Sequence, residues 1–198
     1  MSAPAAFGND LARLGVRAAD PWELVNRKDP YPAAIPALVD WLARVDVEVE
    51  PRERAKFREG LVRSLAVREA RGIAGPTLVC EFRRTDVEST YRWAVANALE
   101  VVADDSLFID VVELARDRRY GADRQMLVLA MARMKDPRVV DVLVELLADD
   151  EVAGHAAKAL ARLKMPLARP ALERLLVHPR PWVRAEARKA LKRMAGSR

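Results

Sequence analysis

A nine-residue skeleton recurs five times along this chain, and the recurrence constrains the fold more than any other feature. Its last copy reads Val183-Arg184-Ala185-Glu186-Ala187-Arg188-Lys189-Ala190-Leu191. Earlier copies begin at Phe57, Tyr91, Asp123 and Val152 and end at Leu65, Leu99, Met131 and Leu160. The second position reads Arg58, Arg92, Arg124, Ala153 and Arg184, spaced 34, 32, 29 and 31 residues apart. Units of this length cannot bury an apolar face alone and must stack on one another. A stacked array offers extended surface, so the pattern predicts a holder of other molecules more readily than a catalyst.

Between the copies lie five other segments with apolar residues at helical spacing, 33–45, 73–82, 107–116, 138–147 and 168–177. Pro36, Pro76 and Pro170 each stand two positions before a leucine. Proline fits a first helical turn, where its missing donor is unpaired anyway, so each marks a helix start. The expected connections are short: 46–51, 86–89, 149–151 and 178–181. Most are acidic, which suits the positive end of the helix that follows. No segment alternates as a half-buried strand does. The prediction is an all-α, right-handed α-solenoid of five helix pairs over 33–198, preceded by a helical cap over 1–32. In that cap Asn9 caps a helix, Trp22 follows a turn at Asp20-Pro21, and Pro30 and Pro32 end any helix.

A leucine-rich first helix, an acidic turn, then a second helix opening Val-Arg and continuing through Ala to Ala-Leu resembles the HEAT repeat, in its short bacterial form. The resemblance covers about 33–194 and is closest in the last two units. That family includes scaffolds, adaptors, lyases and nucleic-acid enzymes, so it implies a fold before a function. HEAT-like metal hydroxylases carry repeated His-Glu pairs; here His155 precedes Ala156 and His178 precedes Pro179, which excludes that reading. HEAT-like alkylpurine DNA glycosylases use Trp, Asp and Arg in a basic groove. Their motif has no residue-by-residue match here, and they stand as the alternative.

In a HEAT pair the second helix lines the concave face. Counting from the first skeleton residue as zero, positions 0, 4, 7, 8 and 11 point into the core and 2, 6 and 9 point away. The outward row carries Trp93, Asn97, Gln125 and Leu129 at its middle, with Arg63 and Lys158 toward the ends. A solvated face is mostly charged; an exposed aromatic with amide neighbours and a charged rim has the composition of an interface centre. The preferred reading is a non-enzymatic protein-binding scaffold with Trp93 as anchor, Asn97 and Gln125 as hydrogen-bonding groups, and Leu129 as apolar floor. The competing possibility is that this row packs on itself or on the N-terminal stretch. The arginine series at position 1 reads as structural, bridging acidic turns of neighbouring units.

Charge is uneven. From 161 to 198 eleven Lys/Arg face only Glu173 and Glu186, whereas the rest of the chain is slightly acidic. Arg184, Arg188, Lys189 and Lys192 share an arc of the last helix and are the candidate nucleic-acid contact. The alternative is a solubilising end-cap. Gly154, inside a helix, suggests close approach of a partner or a neighbouring helix. Neither histidine has a second ligand nearby, and no catalytic group, metal or cofactor is assigned. Cys80 is the single cysteine, which with the absence of a cationic, apolar leader or an eighteen-residue apolar run suggests a cytoplasmic protein.

Overall fold

The computed structural model describes residues 3–195. Among them every regular element is helical. The chain divides into two compact units, Met1–Val102 and Ala103–Arg198. The first holds α1 (Ala3–Arg13), α2 (Trp22–Val25), α3 (Ile35–Glu48), α4 (Pro51–Ser64), α5 (Gly75–Arg83) and α6 (Ser89–Val102). The second holds α7 (Phe108–Arg116), α8 (Gln125–Met131), α9 (Val139–Leu146), α10 (Ala153–Leu163), α11 (Arg169–Arg174) and α12 (Pro181–Ala195). The expected pairs are therefore α3/α4 and α5/α6 in the first unit, and α7/α8, α9/α10 and α11/α12 in the second.

The skeleton is the second helix of each pair, and its inward positions are the core. Position 4 is buried in all five copies, as Leu61, Val95, Leu127, Ala156 and Ala187. So is position 7, as Ser64, Ala98, Ala130, Ala159 and Ala190. The small residue at position 7 lets the partner helix approach closely, and the larger residues at position 0 fill the space between turns. In the first unit α4 packs on α6, and the N-terminal helices complete it: α1 lies on α3 and α2 on α4. Phe7, Trp41 and Phe57 meet there as an aromatic cluster with ring centroids 5.3 to 5.9 Å apart. Trp41 Nε1 donates to Asp10 Oδ2 at 3.1 Å, and Tyr31 Oη donates to the Ser64 carbonyl at 2.7 Å. Burial pushes the Tyr31 hydroxyl up to about 12.

Three boundaries differ from expectation. Asn9 does not cap a helix but lies inside α1. The segment 46–51 is not a turn: α3 continues through Glu48 and α4 begins at Pro51. Acidic residues normally disfavour a helix C-terminus, but here arginines neutralise them. Arg44 pairs with Glu48, and both Arg58 and Arg84 reach Asp46. The second helix of the third pair also starts late. A 3₁₀ stretch over Arg118–Arg124, broken by Gly121 at φ 48°, precedes α8. Only glycine adopts that backbone without strain.

Candidate functional site

In the first unit Trp93 of the outward row is exposed, and Asn97 and Arg63 are half-buried. Trp93, in the first half of α6, is 45% exposed. One turn on, Asn97 Nδ2 donates to the Trp93 carbonyl at 2.7 Å, so this amide is tied to its own helix. Arg63 on α4 pairs with Glu59 at 2.7 Å, and its guanidinium lies 5.7 Å from the centroid of the Trp22 ring. Trp22 lies over Gly60 and donates from Nε1 to the Lys56 carbonyl at 2.9 Å. A Cβ on Gly60 would stand 2.8 Å from that indole, so the glycine is what admits it.

In the second unit the row breaks down. Leu129 is 4% exposed and belongs to the core, which corrects its assignment as a groove floor. The wheel rule assumes that one side of a second helix is open. Yet α8 is contacted by α7, α9 and α10, and little of its circumference is left. Gln125 is half-buried, and its Nε2 donates to the Glu151 carbonyl at 3.1 Å, so this amide too is engaged within the chain. Lys158 on α10 is exposed. The close approach that Gly154 suggested is made by α12. A Cβ there would lie 1.9 Å from Trp182 Cζ3, and the same indole sits 4.8 Å from the His155 ring.

The position-1 arginines are engaged within the chain. Arg92 donates to the carbonyls of Phe82 and Arg84, and Arg184 to those of His178 and Pro179. Arg124, 1% exposed, reaches the Ala115 and Gly121 carbonyls and Asp149 Oδ2. Each lies close to the end of the preceding first helix, where carbonyls lack intrahelical donors. Arg124 also makes the expected bridge to an acidic turn of the neighbouring pair, at Asp149, whereas Arg58 reaches Asp46 of its own pair and Glu81 within α5. Burial acts to raise Asp149, and the hydrogen bonds from Arg124 and the Glu151 amide, together with the charges of Arg124 and Arg118, outweigh it and leave the carboxyl below its usual range. Arg184 therefore drops out of the candidate nucleic-acid face. Arg188 and Lys192 are exposed, and Lys189 pairs with Glu186 at 2.7 Å. The last three residues of the basic segment lie outside the described residues.

Two features were not anticipated. At the turn end of the first unit, Arg58 Nη1 donates to Glu81 Oε1 at 2.9 Å and Tyr91 Oη donates to Glu81 Oε2 at 2.6 Å. Arg58 Nη2 lies 2.7 Å from Asp46 Oδ2, an ion pair without the alignment of a hydrogen bond. This buried cluster floors a cleft of 650 Å³ between the starts of α4 and α6. Burial and the Glu81 charge both push the Tyr91 hydroxyl far up, so it stays a donor. In the second unit, Lys158, Arg162, Lys189 and Arg193 line one cleft of 330 Å³ with Glu186 in its wall. The signal for it was in the repeat. Position 10 reads Val67 and Val101, then Arg133, Arg162 and Arg193.

Among the described residues no helix is long and apolar enough to cross a membrane, and no three His, Cys, Asp or Glu are grouped to hold a metal ion. Neither a curated protein nor a solved structure matches the chain. Residues 147–198 match the HEAT repeats family, over α10, α11, α12 and the turns between them. Residues 147–198 are thus HEAT-repeat sequence, and with the helix pairs that precede them they support placing the chain among HEAT-like repeat proteins.

Proposed function

We propose that this chain is a non-enzymatic protein-binding module, a scaffold or adaptor, and that Trp93 is the anchor of its contact face. HEAT repeats generally mediate protein interactions. The observation that carries the proposal is the exposure of Trp93 on α6, a helix whose opposite face is fully core. A tryptophan held half out of water on a rigid helix loses little entropy when a partner covers it, which is why such residues dominate interface energetics. Arg63 supplies a charged rim on the neighbouring α4, already oriented by Glu59. Lys158 is an exposed cation of the other unit and is considered by itself. Nucleic acid as the principal ligand draws less support, because two of the four cations assigned to it are engaged within α12 and its preceding turn. A cytoplasmic setting is part of the proposal, since Cys80 is an exposed free thiol.

Capture of partners from native lysate on the immobilised chain, beside the Trp93→Ala variant, tests the reading. The variant is expected to weaken capture by about 2 kcal/mol while thermal stability moves by no more than about 0.5 kcal/mol. Unchanged capture, or a large loss of stability, would show that Trp93 serves the fold instead.

A further inference from the structure

The 650 Å³ cleft of the first unit carries two charges that its own chain leaves without a partner. Lys56 stands exposed on the α4 wall, and Glu88, the residue before α6, stands exposed on the other. Among the described residues neither side chain makes an ion pair or a hydrogen bond. The other charged groups of the cleft are engaged within the chain. Arg58 and Arg84 hold Asp46, Arg84 also holds Asp86, Glu59 pairs with Arg63, and Arg54 Nε donates to the Val49 carbonyl at 2.8 Å. Four cations and four carboxylates line the cleft, so it has no net field to draw a strongly acidic or basic ligand. The apolar groups at its two ends follow the same division. Trp93 is exposed on α6, five residues beyond Glu88, and Pro51 is exposed on α4, five residues before Lys56. α4 and α6 are the same element of successive repeats and run the same way, so Trp93 and Pro51 lie at opposite ends of opposite walls.

We propose that this face docks on a second copy of the same chain, with Lys56 of each copy opposite Glu88 of the other and Trp93 of each over Pro51 of the other. The inference rests on the reading of Trp93 as a contact anchor and names the partner. A two-fold axis through the cleft exchanges its walls and reverses the helices. The free cation of one copy then meets the free carboxylate of the other. The same rotation carries the residue five places beyond Glu88 onto the residue five places before Lys56, which is how Trp93 comes to Pro51. Every contact is made twice, as a self-complementary interface requires. The indole offers a flat apolar face, and the proline ring is an apolar surface already fixed by its helix. Few residues take part, so the association is reversible and depends on concentration.

Sedimentation velocity of the full chain over a series of concentrations at low salt tests this, and a dimer that grows in as concentration rises is expected. Trp93→Ala should weaken the dimer about thirtyfold. Lys56→Glu and Glu88→Lys each set like charges together at two places and should weaken it about tenfold. Mixed in equal amounts, these two variants recover both charge pairs in a heterodimer and should associate as tightly as the wild type. The double variant Lys56→Glu/Glu88→Lys should recover as well. Damage to the fold would produce neither recovery. A chain that is monomeric at every concentration overturns the assignment. So does a dimer indifferent to Trp93→Ala or to the charge reversals, or a pair of single variants that fails to associate on mixing. Should the chain be monomeric while Trp93→Ala still abolishes lysate capture, this inference falls and the protein-binding reading stands.

Discussion

His155 shows how one residue can resemble a functional group while serving as a structural liability. Its Nδ1 is buried without a hydrogen-bond partner, and the ring packs at a tilt against Trp182. Burial lowers its pKa from 6.5 to about 4, with Lys158 adding to the effect and Glu186 opposing it. A depressed histidine is neutral in the fold. Between 6.5 and about 4 the unfolded chain takes up a proton that the folded chain refuses. Stability from this group is therefore full above 6.5 and falls as the pH drops toward 4. Melting temperatures followed by circular dichroism from about pH 7 to about pH 5, above the ordinary carboxylate range, should decline for the wild type. They should decline less for His155→Gln. Parallel profiles would mean that the imidazole titrates normally in the fold.

At the scale of the element, the contact between α10 and α12 depends on the missing side chain at Gly154. Glycine in a helix costs up to about 1 kcal/mol relative to alanine, so Gly154→Ala on propensity alone stabilises. The Trp182 indole reverses that sign, because it stands where the new methyl must go. Thermal denaturation should show Gly154→Ala losing about 1–3 kcal/mol as the indole is driven out. In a Trp182→Ala background the same change should be neutral or stabilising. Equal losses in both backgrounds would place the cost elsewhere. This pairing also marks what the sequence could convey. The inward positions of the second helices follow from a period of 3.6 and were legible, because a stacked unit has one dry face. Leu129 was not legible, since its burial depends on three neighbouring helices that the wheel cannot see. Nor was the course of 46–51, where helix continues past Asp46 because Arg58 and Arg84, distant in sequence, neutralise it. Trp182 could be assigned to packing but not to Gly154, since nothing along the chain ties residue 182 to residue 154.

At the scale of the molecule, two units of helix pairs are built from the same skeleton with different outward residues. The first exposes Trp93; the second concentrates cations at positions 6 and 10. The inward residues maintain the stack and the outward ones are free to vary, so fold was more legible than function. The lengths of the tertiary bonds carry a further meaning. No hydrogen bond or ion pair named above joins residues more than 38 apart, the span from Asp46 to Arg84. Chains dominated by such short separations close small loops and lose little entropy before contacts form. Refolding from urea, followed by stopped-flow tryptophan fluorescence, is expected to be complete on the order of milliseconds; a dominant phase lasting seconds would contradict this. During synthesis, at about 5–20 residues per second, each helix pair can close on its predecessor within its own unit before the next has been translated. The exposed hydrophobic surface at any moment is then that of a single unfinished repeat, so the nascent chain has little for a chaperone to hold.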